Sequence, residues 1–387
     1  MRNCIRIPRL FVPKDNVESW AVVGCDRFRN HRLYWERVAR NACDAPSVYS
    51  CILPDALLGE EDEERAEVLR ESCYSVLEEG VLTRLERGCV LVERETGAGI
   101  RRGILAAIDL EEYSPDGGKD FLIRASTATT AALVENRLRA RRGALLEFPH
   151  TVLCYRDKKD KLLRSVMGER LETIYRCKLS EGGGELTGYF LPDYLAEDIA
   201  RELISRADPC FGVLDGNHTL AAAKAYWEEV KGKLSAVEQR NHPARFALAE
   251  FVNLSDDAVA FEPMHRLVKG VETEAFCDYF EKTVKCKRQG GVLYPILPAG
   301  TEGFAQVEAA IARYVRADGG SVEYFTGRPA DYANREEDSV VIALPPVDKE
   351  ELISVLKAGK RFPAKTFSLG REQDGRYCLE GREISYD

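Results

Sequence analysis

Short apolar runs bounded by turn residues alternate with stretches of helical periodicity along most of this chain, which predicts a mixed α/β protein. The central example is Phe211–Leu214, an apolar run of the kind that forms a buried strand, followed by the turn dipeptide Asp215-Gly216. From Thr219 to Val230 the residues favour helix, with Leu220, Ala223 and Trp227 on one side and Glu228, Glu229 and Lys231 on the other. Strand, glycine turn and helix in that order aim free backbone N–H groups and the positive end of a helix at one point, which suits an anion and a phosphate above all. The same turn holds Asp215, Asn217 and His218, side chains able to bind a proton or a metal. Asp215 and Asn217 could also serve only to cap the helix.

The rest of the pattern fills in around this motif. Trp20–Cys25 reads as a buried strand ending at Asp26, and about 33–42 as a helix. Val48–Leu53 reads as a strand stopped by Pro54. Residues 56–86 are helical, with the acidic run Glu60–Glu64 near their start, and 88–110 alternate as a hairpin about Thr96–Gly99. Phe121–Thr127 is an apolar strand that carries Arg124, and Glu135–Arg142 holds four arginines in six positions. A strand entry at Leu145–Tyr155, a helix from about Pro192 to Arg206 and an interior strand at Ala244–Asn253 follow. Val259–Val268 brings Glu262, His265 and Arg266 together near a strand end. Helices near 272–284, 303–316 and 348–358 mark an appended α/β portion. These shifts divide the chain into an N-terminal α/β portion (1–145), a core with the Asp-Gly-Asn-His loop (146–270) and a C-terminal α/β portion (271–387).

Composition narrows the function. With 387 residues, 45% hydrophobic and 31% charged, the chain has material for a large interior. A net charge of -9 argues against a general nucleic-acid binder, and no apolar run is long enough to cross a bilayer. Twelve cysteines are scattered without a Cys-x-x-Cys pair, which suits a reducing cytoplasm better than a disulfide scaffold. In an acidic chain the arginines are the candidates for an anion pocket, since guanidinium groups grip phosphate or carboxylate with two prongs. Arg124, Arg137 or Arg139, and Arg266 are expected to reach the central turn. Three of the five histidines, His150, His218 and His265, stand at strand ends, where they would also serve a metal-dependent hydrolase.

Several stretches resemble the bacterial family catalogued as domain of unknown function 1015: Trp20–Trp35, Ile123–His150, Asp215–Thr219, Phe261–Arg266 and Pro363–Ser368. More distantly, the Asp-Gly-x-His turn is similar to the loop of ParB-like nucleotide-binding domains, which include a free-serine kinase. That resemblance implies a ParB/serine-kinase-like core in which the turn holds nucleotide phosphates and an acidic residue activates the acceptor hydroxyl. The chain departs from the pattern at Thr219, where an arginine often stands, so phosphate binding would recruit arginine from elsewhere.

The expectation is therefore a small-molecule phosphotransferase, acting on a small hydroxylated metabolite such as serine with ATP or ADP as donor. Gly216, Asn217, Thr219, the arginines and His265 would hold the nucleotide, and Asp215, His218, Glu250 and Glu262 would supply the chemistry. Mg²⁺ would sit on Asp215. The alternatives are the metal-dependent hydrolase and a nucleotide-binding regulatory module without turnover.

Overall fold

The computed structural model describes residues 2–24, 28, 31–57, 62–333 and 337–386. Asp26, Glu60 and Glu61 lie outside the described residues. The architecture is mixed α/β, built on a ten-stranded sheet.

The hairpin expected at 88–110 is present as Gly88–Thr96 and Gly99–Asp109 and forms the centre of that sheet's antiparallel half. Glu172–Lys178 and Glu185–Pro192 extend it on one side, Phe246–Asn253 on the other, and Ile5–Arg6 adds to Gly99–Asp109. Beyond Phe246–Asn253 come Thr151–Tyr155 in parallel, Phe211–Asp215 antiparallel to that, then Ile123–Ala125 and Tyr113–Ser114 in parallel. Phe211–Asp215 is thus flanked on both sides, and Phe211 and Val213 are fully buried. This explains its unbroken apolar run, because an interior strand covered on both faces has no polar side to show.

The helix Asn217–Lys231 returns over this sheet with Leu220, Ala223 and Trp227 at 0%, 1% and 1% exposure. Each large side chain buried in this way contributes roughly 1.5–3 kcal/mol. Helix Ala131–Arg141 packs beside it.

A second, five-stranded sheet runs in the order Cys286–Gln289, Val292–Pro295, Ser339–Ile342, His265–Lys269, Ser321–Phe325. Helices Thr273–Thr283 and Thr301–Asp318 cover it. Phe261–Pro263 pairs with Phe367–Leu369 between the two sheets, and one apolar core joins Val152, Leu214 and Val252 to Val268, Phe276, Phe304 and Phe362.

Several segments differ from their sequence patterns: of the strand expected at 20–25 only Val22–Val23 forms among the described residues, with Trp20 ending the short helix Val17–Trp20, and the helical reading of 56–86 holds for Asp62–Glu78 while Leu82–Arg84 is a strand. Val48–Cys51 is a 3₁₀ turn rather than a strand, because the Ser47 hydroxyl accepts the Tyr49 N–H and starts a turn that no neighbouring strand competes for. Residues 165–180, too mixed to assign by period, divide into the end of helix Lys161–Met167 and the edge strand Glu172–Lys178. Among the described residues no helix is long and apolar enough to cross a membrane.

Candidate functional site

The turn after Phe211–Asp215 needs a backbone that ordinary residues resist. Gly216 has φ 89°, and a Cβ there would stand 3.1 Å from an Arg376 nitrogen and 3.2 Å from the Thr151 backbone. The helix therefore begins two residues earlier than its periodicity indicates, at Asn217, with Gly216 as its cap. Asp215 does not cap the helix in the usual way. Its Oδ1 accepts the N–H of Gly216 at 2.7 Å and lies 3.4 Å from Arg376 Nε.

This turn forms one wall of a cleft of about 270 Å³ between the two sheets. Asp215, Gly216, Asn217 and His218 line it, with Thr127 beside them. Opposite stand Val322–Phe325 of the second sheet with Thr326 after them, Met264, Lys365 and the strand Phe367–Leu369, with Phe28 and Glu372 also in the lining. His218 is 8% exposed, and its Nε2 accepts the N–H of Thr130 at 3.0 Å, which places the ring proton on Nδ1. Thr130 is the residue before helix Ala131–Arg141. His218 thus ties the starts of two helices together at the cleft, and both direct their positive ends to this region. Asn217 is 6% exposed, and its Oδ1 has no hydrogen-bond partner among the described residues.

Arg376 is the cation that sequence reasoning missed. It is 4% exposed; its Nη1 donates to the His150 carbonyl at 2.7 Å and to the Thr219 hydroxyl at 3.4 Å, while Nε faces Asp215. Arg376 reaches the Thr219 hydroxyl from 157 residues further along the chain. No local signal marks it, since Arg376 sits in an irregular C-terminal stretch. Lys365 is the second addition: it lines the cleft at φ 59°, a left-handed conformation that a lysine adopts only when its surroundings impose it.

The arginines expected at the turn are placed elsewhere. Arg124 donates to the carbonyls of Phe121 at 3.0 Å, Leu356 at 2.8 Å and Lys119, joining its strand to the end of helix Lys349–Lys357. Arg137 lines a different, smaller cavity, and Arg139 stands half-buried in the last turn of its helix. Arg266 acts from behind the cleft. Its Nη1 donates to the carbonyls of Met264 and Lys365 at 2.7 and 3.0 Å, its Nε to Glu308 at 2.8 Å, and its charge lies 4.6 Å from the Tyr324 ring centre. It fixes the loop that carries Lys365. Helix periodicity showed where these arginines stand along the chain but not the carbonyls and carboxylates that claim them.

The acids and histidines also separate. Glu262 is half-buried opposite Ser368 and does not line the cleft. Glu250 lies inside the sheet at 1% exposure, bonded to His150 Nε2 at 3.1 Å and 3.7 Å from Arg101. Burial works against its charge, but Arg101 and His150 outweigh this and hold its carboxyl at about 2. Gly103 makes room for it, since a Cβ there would fall 2.2 Å from Glu250 Oε1. His265 accepts the Leu344 N–H at 3.1 Å, and burial lowers its pKa to about 4, so it is neutral near pH 7. His150, His218 and His265 thus serve three different partners. Among the described residues no three His, Cys, Asp or Glu side chains are grouped to hold a metal ion.

Behind Arg376 the buried polar groups continue to Tyr377, whose ring meets that of His150, and to Glu380. Tyr175 and Tyr377 donate to Glu380 Oε1, yet burial dominates and raises its pKa from 4.5 to about 7. A raised carboxyl favours the folded state while protonated. Its contribution is complete below pH 4.5 and is lost as pH rises through about 7. Glu380→Gln mimics the protonated form. The stability of the wild type relative to this variant should fall by up to about 3 kcal/mol between the two pH values, read from denaturant unfolding at each. A constant difference across that range would show that Glu380 is not held in its neutral form.

A mixed α/β protein with a cleft at a helix start is the class that fold and site define. The chain belongs to the family described as protein of unknown function (DUF1015), whose model matches residues 8–362. No curated protein matches it. Among solved structures, one of a free serine kinase in complex with AMP is 13% identical, covering 72% of this chain and 92% of that one at a TM-score of 0.41. A conserved hypothetical protein from Pyrococcus furiosus is 12% identical, covering 73% and 95% at 0.38. Truncated SbnI from Staphylococcus aureus is 11% identical, covering 71% and 82% at 0.37.

Proposed function

We propose that this protein is a nucleotide-dependent phosphotransferase acting on a small hydroxylated metabolite, with serine the first acceptor to test. The observation that carries the reading is the start of helix Asn217–Lys231 opening on a cleft while Asp215 is fixed at its edge. Phosphoryl transfer needs N–H groups and cations around the phosphate and a carboxylate near the incoming hydroxyl. The first turn of the helix supplies the N–H groups, Lys365 a cation on the facing wall, and Arg376 a cation behind Asp215. A small hydroxylated acceptor and the phosphate end of a nucleotide match a cleft of this size better than a polymer does.

Mg²⁺ in such sites takes one or two carboxylates and completes its shell with phosphate oxygens and water. Asp215, which lines the cleft together with Glu323 and Glu372, would be the carboxylate that holds the ion at the helix start, and the ion would neutralise charge on the transferring group. Arg376 then orients that carboxylate, and His218 holds the two helix starts in place. A second reading, nucleotide binding without turnover, is favoured by one feature: Asp215 is already engaged by the Gly216 N–H and Arg376.

The test is binding first, then transfer. ATP, ADP and AMP, each with and without Mg²⁺, should raise the melting temperature by several degrees at saturating concentration, since a ligand at about 100 times its Kd adds about 2.7 kcal/mol. Phosphorus NMR with serine and other hydroxylated metabolites then follows formation of the phosphorylated product. Stabilisation by nucleotide without product for any acceptor supports the second reading. No stabilisation by any nucleotide overturns both.

A further inference from the structure

Away from the cleft, the 3₁₀ turn Val48–Cys51 packs on helix Asp62–Glu78 and brings the Cys51 and Cys73 thiols together. The two thiols are hydrogen-bonded to each other, and the Ser50 hydroxyl lies 3.6 Å from Cys51 Sγ. Their surroundings differ. Cys73 is fully buried, whereas Cys51 also lines a cavity of about 80 Å³ whose half-buried rim includes Leu53, Asn136, Arg137 and Pro149. Burial pushes the thiols of Cys4, Cys89, Cys154 and Cys177 up to about 12. Cys51 moves the other way: the bond from Cys73, helped by the one from Ser50, lowers its pKa against the effect of burial. The bond to Cys51 and burial together raise that of Cys73.

The thiolate is the attacking form of cysteine, and a second thiol in contact converts the first oxidation product into a disulfide. The Cys51–Cys73 contact supplies both parts. The cavity is several times what one water molecule needs, so it admits a peroxide of two oxygens. We propose that Cys51 and Cys73 form a peroxide-sensitive dithiol, in which Cys51 reacts first from the cavity and Cys73 closes the disulfide. The Cys51 sulfur attacks one peroxide oxygen, the O–O bond breaks, and the departing hydroxide takes the proton released by Cys51 to become water. The Cys73 sulfur then attacks the Cys51 sulfenic acid. The S–O bond breaks, the S–S bond forms, and the hydroxyl leaves with the Cys73 proton as a second water. The thiol pair gives up two electrons and the peroxide accepts them. The pair stands apart from the cleft and does not depend on the phosphotransferase reading.

The test treats the reduced full-length protein with hydrogen peroxide and maps its cysteines by mass spectrometry. A peptide linked through Cys51 and Cys73 should appear and be released by dithiothreitol. It should form at least about tenfold faster in the folded protein than in urea, where the contact is lost. Cys73→Ala should stop at the Cys51 sulfenic acid, trapped there by dimedone, and Cys51→Ala should leave Cys73 unlabelled. Oxidation of the exposed Cys43 in the same digest shows that the peroxide was active. Should Cys73→Ala fail to fold, the comparison of folded and urea-treated wild type decides. No linked peptide while Cys43 is oxidised, equal rates in the folded protein and in urea, or dimedone on Cys73 of Cys51→Ala would each overturn the assignment.

Discussion

Asp215→Asn should lower phosphoryl transfer by roughly two or more orders of magnitude while the protein still folds. The scale is that of a positioned acid–base or metal-binding carboxylate. Asn keeps the shape and one oxygen, so the bond from the Gly216 N–H survives, and Arg376 retains the His150 carbonyl. The cost to stability should stay near about 1 kcal/mol. What the substitution removes is the negative charge at the cleft edge, which Mg²⁺ or the acceptor hydroxyl would require in the proposed transfer. Initial rates and a melting curve on the same preparation settle it. Undiminished transfer in a normally folded variant would mean that Asp215 only shapes the turn. Unchanged nucleotide affinity beside lost transfer would place its role in the chemistry and not in binding.

The second large effect is expected at Arg376. Its guanidinium joins three elements: the Asp215 carboxylate, the His150 carbonyl and the Thr219 hydroxyl. Arg376→Met fills a similar volume but leaves Asp215, 11% exposed, without its counter-charge. Removing one partner of a buried pair exposes the other to an apolar surrounding, and unfolding free energy should drop by about 3 kcal/mol. The mechanism gives a sharper check. If the loss comes from the stranded Asp215 charge, adding Asp215→Asn to Arg376→Met should recover a large part of it, since the two changes are coupled through contact. Additive losses in the double variant, or a cost below about 1 kcal/mol for Arg376→Met alone, would show that the pair does not hold the turn. Nucleotide affinity should fall in Arg376→Met as well, because the carboxylate and the helix start lose their common anchor.

Local chemistry determined a good deal of this protein. Phe211–Asp215 and Asn217–Lys231 follow from an apolar run, a glycine that tolerates a positive φ, and helix formers with one apolar side. The hairpin at 88–109 and the helices near 193–205, 273–283, 301–318 and 349–357 follow from the same short-range rules. That the Asp215–His218 turn lines a cleft is a further consequence, because a strand ending in a glycine turn leaves its helix start open.

What only the tertiary structure decided is which charges share a space. Four arginines within six positions look like an anion site in one dimension. In three, Arg137 faces another cavity, Arg141 is held by Glu147 and Arg142 by Glu135 and Glu229. Arg124 and Arg266 look available beside their strands, yet their donors go to backbone carbonyls of Leu356 and Lys365, more than ninety residues away along the chain. Arg376 and Lys365 reach the site from a C-terminal stretch with no period to mark it. The physical reason is range. Hydrophobic periodicity reports on neighbours a few positions apart, whereas a buried charge must find its partner wherever the packed chain brings one within about 4 Å.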